Sequence, residues 1–304
     1  MNYIIYHANC MDGLCSAWVA LNGLRQLGFN DSEIVNIPAH YNKPLPELEL
    51  QPTDAVYIVD FSYPRDVTIA LAKRCQLTVL DHHETARTAL HEISNEAPGV
   101  FVFDMEQSGA GVTWNWFFPN IPMPSFVQMI QDRDLWRFNL PDSKALATVL
   151  QNHPRRHDMA FWDEMLGPID WTQGQLHQTK LLDELLEKGR ILLEPLEGQL
   201  KSFIDHKHYK IIQWHGYRVA LFNTTVLMSE LGEVAYEKID VDFSMSYFIN
   251  QDGRVVFSLR THKNGPVHVG AFAVEYGGGG HQAAAGFSCD GLKGFKFLSD
   301  LYLS

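Results

Sequence analysis

Short apolar runs alternate with longer stretches of helical spacing over the first 105 residues. Tyr3–His7 reads as a buried strand, and Gly13–Leu27 follows with small and apolar residues at helical intervals. Ile34–Ile37, Ala55–Asp60 (AVYIVD), Leu77–Asp81 (LTVLD) and Val100–Phe103 continue the strand series, with a helix over Arg65–Arg74. Strands alternating with helices predict a mostly parallel sheet covered by helices on both faces, and near-continuous apolar strands fit that burial. Ser108 stands where a helix over Gly109–Phe118 needs its cap, and Pro119, Pro122 and Pro124 break the pattern after it. Residues 125–205 look mainly helical, and Thr179–Lys201, with Pro195 inside it, reads as a charged, amphipathic connecting helix.

From Ile211 the pattern changes. IIQW, YRVALFN, FSMSYFI and VVFSL read as strands, with Asp252-Gly253 as the hairpin turn between the last two. Met228–Lys238 and Val267–Tyr276 read as helices. The expected organisation is an α/β domain over 1–185, a connecting helical segment over 186–210, and a smaller α+β domain over 211–304. The length of 304 residues suits two domains.

Composition narrows the class. No apolar run reaches the roughly 18 residues of a membrane span, and the start Met-Asn-Tyr-Ile-Ile-Tyr has no basic leader, so a cytoplasmic protein away from membranes is expected. A net charge of −12 argues against broad binding to long duplex nucleic acid but leaves room for a short nucleotide in a local pocket. The four cysteines, Cys10, Cys15, Cys75 and Cys289, form no CxxC pair, which speaks against a structural zinc knuckle.

Candidate chemistry gathers where the expected strands end. His7 closes the first strand and Asn9-Cys10-Met11-Asp12-Gly13 turns into the helix; Asp60 closes AVYIVD; Asp81-His82-His83 closes LTVL; Asp132-Arg133-Asp134 ends a helical segment. Ligands of open parallel sheets bind beyond the carboxyl ends of the strands, so three of the four clusters are expected to converge there. Crowded carboxylates repel one another unless a cation neutralises them. A mixed Asp/His set suits Mn²⁺, Fe²⁺ or Zn²⁺ better than Mg²⁺ alone. Two such ions about 3.5–4 Å apart can generate hydroxide and stabilise the leaving oxygen of a phosphoester.

A second signal is Gly277-Gly278-Gly279-Gly280-His281-Gln282-Ala283-Ala284-Ala285-Gly286-Phe287. Four glycines leave the backbone able to bring N–H groups against an anion, and Arg260 at the end of VVFSL can offer a bidentate phosphate contact.

With these residues in place, the chain resembles the DHH phosphoesterase superfamily, in the branch with a C-terminal DHHA1 domain. Asp81-His82-His83 matches the naming motif, GGGGHQAAAGF the glycine–histidine motif of DHHA1, and Asp60 and Asp132-Arg133-Asp134 two further motifs. The resemblance covers nearly the whole chain in order. It implies two divalent cations, most commonly Mn²⁺, with His7, Asp12, Asp60, His82 and Asp132 as ligands and Asp60 bridging. Asp134 is the alternative to Asp132. His83 would face the substrate phosphate, Asp81 would orient the site, and Arg260, Gly279, Gly280 and His281 would grip the substrate from the second domain. One departure stands out: the family's first motif has two aspartates two residues apart, and the position two before Asp12 is Cys10. Cys10 as thiolate or Asn9 through its carbonyl could replace the missing carboxylate, or the metal there could bind more weakly.

The function implied is hydrolysis of a phosphodiester in a dinucleotide or short single-stranded oligoribonucleotide, with a homodimer compatible. The alternatives are a nucleotide phosphomonoesterase of the 3′-phosphoadenosine type and a non-catalytic nucleotide-binding module, the latter motivated by Cys10.

Overall fold

The computed structural model describes residues 1–8, 10–41, 43–151, 153–167, 169–170, 175–176, 179–263 and 265–303. The chain divides into two compact units, Met1–Leu193 and Glu194–Ser304.

In the N-terminal unit, β1 (Asn2–His7), β2 (Ile34–Ala39), β3 (Ala55–Val59), β4 (Gln76–Asp81) and β5 (Val100–Phe103) form one sheet in the order β2-β1-β3-β4-β5. Every pairing is parallel, as the alternation of strands and helices predicts. Successive side chains on a strand point to opposite faces. Ile4 and Tyr6 therefore join one buried cluster with Val59 and Leu80, while Ile5 joins a second with Val56, Ile58, Leu77 and Val79. The second layer holds α2 (Arg65–Ala72) through Leu71 and Ala72.

The first layer holds α1 (Met11–Gln26), followed in the chain by α3 (Glu84–Ala89), α4 (Gly109–Phe117), α5 (Ser125–Asp134), α6 (Ser143–Gln151) and α7 (Met159–Leu166). Of these, α1, α4, α5, α6 and α7 bury apolar side chains in it, including Trp18, Trp114, Phe126, Leu146 and Trp162. Ser108 caps α4 by accepting from the Gly111 N–H at 3.2 Å, as the sequence predicts. A short antiparallel pair follows, β6 (Ile169–Asp170) and β7 (Gln175–Leu176). The helix α8 (Lys180–Asp205) then carries Pro195, and the division between units falls inside it. Among the described residues no helix is long and apolar enough to cross a membrane.

The C-terminal unit is built on β8 (Lys210–Trp214), β9 (Tyr217–Asn223), α9 (Met228–Lys238), β10 (Phe243–Ile249), β11 (Val255–Arg260), α10 (Val269–Glu275), β12 (Gly279–Gly280), β13 (Ala284–Cys289) and α11 (Gly291–Leu303). Its sheet has the order β12-β13-β11-β10-β9-β8, with only β9 and β10 parallel. Asp252-Gly253 makes the β10–β11 turn, with Gly253 at φ 73°. The strand β13 and the helix α11 are additions to the sequence reading. The small residues Ala284-Ala285-Gly286 hide a strand whose Ala285 and Phe287 alternate into the core.

Candidate metal centre

Three adjacent strand ends bring the chemistry together. His7 ends β1, Asp60 follows β3, and Asp81 ends β4, with His82 and His83 after it. Asp60 adopts a left-handed backbone, φ 53°, a region that Asp tolerates better than most residues. A side chain at Gly109 would place its Cβ 2.4 Å from the Asp60 Cβ, so only glycine lets the start of α4 approach this closely.

Asp12 enters from the first turn of α1 and is 1% exposed. Its carboxylate accepts the N–H groups of Gly109 at 2.5 Å and Ala110 at 3.1 Å, the open N-terminus of α4. Asp81 is fully buried and orients the two histidines after it: one oxygen accepts the His82 N–H at 2.7 Å and lies 2.6 Å from His83 Nδ1. Its other oxygen accepts the Ser62 hydroxyl at 2.6 Å.

Asp60 stands apart from these satisfied carboxylates. Its oxygens lie 3.4 Å from His7 Nδ1 and 3.1 Å from His82 Nε2, within ion-pair reach. By hydrogen-bond geometry both Asp60 oxygens and His7 Nδ1 are buried without a partner. His82 Nε2 faces two more carboxylates, Asp12 at 3.8 Å and Asp134 at 3.6 Å. One ring nitrogen carries one proton, which cannot serve three carboxylates.

The electrostatics follow from that crowding. Burial, then Asp134 and Asp60, push the Asp12 carboxyl well above the usual range. Burial opposes charge on Asp60 too, but His7 and His82 hold its carboxyl below the usual range. Burial would lower His82, yet Asp60, Asp134 and Asp12 outweigh it and raise the imidazole to about 10. Burial likewise opposes charge on His83, and Asp81 overcomes it and raises that ring. A divalent cation relieves this strain by replacing protons.

The side chains present fit such ions. Ligand atoms of His7, Cys10 and Asp60, of Asp60, His82 and His83, and of Asp12, His82 and Asp134 each lie within 4.8 Å of one another. His7, Asp12, Asp60, His82, His83 and Cys10 are therefore brought together; Asn9 lies outside the described residues.

Asp132 and Asp134 are placed differently. The Asp132 carboxylate accepts the N–H groups of Asn139 and Leu140, both at 2.9 Å, and the Ser143 hydroxyl at 2.6 Å, tying α5 to the start of α6. Two steps along a helix reach its opposite face, so Asp134 points to His82 and Asp132 away.

No known protein-family profile matches the chain. An uncharacterized protein of Acanthamoeba polyphaga mimivirus is 29% identical over 308 residues, spanning 97% of this chain and 69% of that protein. A pGpG-specific phosphodiesterase, PggH from Vibrio cholerae, aligns over 99% of this chain and 97% of its own with a TM-score of 0.52 at 16% identity. The PF0399 DHH domain aligns over 99% and 85% with a TM-score of 0.53 at 13% identity. RecJ from Thermus thermophilus, in complex with Mn²⁺, aligns over 99% and 51% with a TM-score of 0.52 at 15% identity. The chain has the fold of these proteins, a DHH-domain fold.

Within this DHH fold, several residues at the site escape sequence reasoning. Arg133 and Arg156 line a cavity of about 210 Å³ together with Cys10, Asp12 and Asp134. Arg133 sits between two aspartates in sequence and stacks over the Trp136 ring at 4.4 Å. Arg156 carries no motif that could have announced it. Tyr41, 45% exposed, sets its ring 5.0 Å from His7 and 6.0 Å from His83. It belongs to a loop whose path only the structure gives.

The glycine run of the C-terminal unit departs from the expected open cradle. Gly279 and Gly280 pair with Gly286 and Ala285 as a short hairpin. The N–H groups of Gly277, Gly278 and His281 donate to Val274, Ala273 and Ala284 carbonyls, so the backbone donors are largely taken by the unit itself. The Arg260 guanidinium bonds the Ser229 and Ser258 hydroxyls at 2.9 Å each and the Leu259 carbonyl at 2.8 Å, all in its own unit. Gly279 still faces open space where a Cβ would stand.

Proposed function

We propose that this chain is a metal-dependent phosphodiesterase acting on dinucleotides or short single-stranded oligoribonucleotides. The carrying observation is the buried Asp60 carboxylate, without hydrogen bonds, between His7 and His82. An anion held so in a low-dielectric site is costly unless a cation joins it.

His7, Cys10, Asp60, His82, Asp12 and Asp134 would hold two divalent cations. Manganese is the first candidate because the structurally similar RecJ was solved with it. Bound there, the cations would lower the pKa of a water nucleophile and offset charge developing on the leaving oxygen. His83, whose hold on a proton Asp81 strengthens, would present its ring to a phosphate oxygen. Arg133 and Arg156 would neutralise further phosphate charge from the cavity wall. The exposed Tyr41 ring would offer a nucleobase a stacking face. In the C-terminal unit, taken by itself, Arg260, Gly279, Gly280 and His281 would bind a phosphate or nucleotide. The nucleotide class is supported by the likeness in fold to PggH, itself a pGpG-specific phosphodiesterase.

The test is a substrate panel with Mn²⁺: linear dinucleotides, longer oligomers, cyclic dinucleotides and nucleoside bisphosphates. Linear dinucleotides should be cleaved to mononucleotides only with a divalent cation present. Asp60→Ala should reduce turnover by more than the roughly 10–100-fold typical of outer-shell partners. Turnover that survives chelation, or survives Asp60→Ala, would overturn the proposal; cleavage confined to bisphosphates would make the chain a monoesterase.

A further inference from the structure

We infer that the two cation positions are chemically unequal: His7, Cys10 and Asp60 form a thiophilic one, suited to zinc or iron(II), and Asp12, His82 and Asp134 a harder one, suited to manganese or magnesium. This rests on the metal-dependent function proposed above and specifies which cations that site takes.

The donor sets differ in kind. One offers an imidazole nitrogen, a thiol sulfur and a carboxylate oxygen within 4.8 Å of one another; the other offers two carboxylates and one imidazole. Thiolate ligands favour zinc and other soft or borderline ions, whereas carboxylates suit manganese and magnesium. Cys10 holds the N-cap position of α1 without a side-chain capping bond. Its neighbours are not those of a packed apolar thiol: His7 Nδ1 and both Asp60 oxygens are buried there without hydrogen bonds. Cys15, by contrast, is fully buried among the apolar side chains of the first layer and belongs to none of the three ligand groups. Coordination at Cys10 breaks the S–H bond, forms a sulfur–metal bond and releases the proton to solvent, with no change of oxidation state.

Cobalt(II) chloride is the probe, added to reduced, chelator-stripped protein. Two cobalt ions should bind per chain, with a thiolate-to-cobalt charge-transfer band that saturates at the first equivalent. The band should vanish in Cys10→Ser and Cys10→Asp and persist in Cys15→Ala. In competition titrations the preference for zinc over manganese should be larger at the position that carries the band than at the other, and Cys10→Asp should shrink it. The two substitutions guard against one of them failing to fold. Two bound cobalt ions without the band, or a zinc preference that Cys10→Asp leaves unchanged, would overturn the inequality while leaving the phosphodiesterase reading intact. No bound cobalt at all would overturn both.

Discussion

Among the described residues of the N-terminal unit five aspartates and one histidine are buried: Asp12, Asp54, Asp60, Asp81, Asp132 and His82. Among the described residues of the C-terminal unit the buried polar side chains are Thr224, Ser244, Ser246 and Thr261, none of them charged. Its core is instead a contiguous aromatic cluster, in which Phe257 stacks on Phe287 at 4.7 Å and Trp214 meets Phe243, Phe272 and Phe297 edge-on. Such a core is stable through apolar burial and needs nothing added. The N-terminal unit has a comparable apolar core but also carries a cluster of carboxylates at its sheet edge that repel one another. Desolvated charges of that kind are tolerated only where a partner completes them. The difference teaches where to look for chemistry: not at the most polar surface, but where a well-packed unit retains buried charge that its own hydrogen bonds leave unfinished.

The largest expected effect separates two aspartates that are neighbours in sequence. Asp134→Asn should lower metal-dependent turnover by at least about 100-fold with little change in stability, because it removes a carboxylate that faces His82. Asp132→Asn should do the reverse: it weakens three hydrogen bonds that pin the turn after α5, with a loss of about 1–3 kcal/mol in unfolding free energy. Denaturant unfolding and steady-state assays on both variants check this, and an inactive but fully stable Asp132→Asn would restore that residue as a ligand.

Next comes the response to cations, which should belong to one unit only. Saturating Mn²⁺ at about 100 times its dissociation constant should stabilise the N-terminal unit by about 2.7 kcal/mol. Hydrogen-exchange protection should rise in peptides of β1, β3 and β4 and stay unchanged in β10 and β11. The effect should also grow with pH. His82 is raised to about 10, so its contribution to the metal-free fold is complete below its unfolded value of about 6.5 and is lost as pH rises through about 10. Asp12, raised by burial, Asp134 and Asp60, acts with the same sign: its folded form binds more protons than the unfolded chain, so stability falls as pH rises. Chelated protein should therefore lose stability from weakly acidic pH upward, and added cation should restore it. A chelated protein whose Tm holds level across that window would show that the cluster is not proton-coupled.

Much of this is legible in the sequence, for physical reasons. The parallel sheet follows from apolar strands alternating with helices, and its order places the ends of β1, β3 and β4 side by side. His7, Asp60 and Asp81-His82-His83 can thus be gathered from strand ends alone. Asp132 and Asp134 stay undecided in the sequence because spacing near the end of a helix does not reveal which face is inward. The role of α4's N-terminus in holding Asp12 is hidden because it joins residues 97 apart in sequence. Arg156 and Tyr41 lie on segments with no periodic pattern, so their approach to the site depends on chain paths that only tertiary packing sets. The glycine run is legible as composition only: it permits an anion cradle, and the pairing of part of it with β13 is set by tertiary structure.

The smallest effect tests the C-terminal unit on its own terms. An added Cβ at Gly278 would stand 2.1 Å from the Gly286 carbonyl oxygen and 2.6 Å from the Phe287 Cβ, backbone and core atoms with little room to yield. Gly278→Ala should therefore destabilise this unit by about 1–3 kcal/mol, the usual range for overpacking. Cobalt binding and the metal-induced protection of β1, β3 and β4 should be unaltered, since none of the proposed ligand atoms lies in this unit. If the substitution left stability unchanged but weakened dinucleotide capture, the hairpin would be a compliant substrate loop instead of a packed edge of the sheet. A loss of cobalt binding would mean that the integrity of the metal centre depends on the aromatic unit, and the contrast between a self-sufficient unit and one completed by cations would fail.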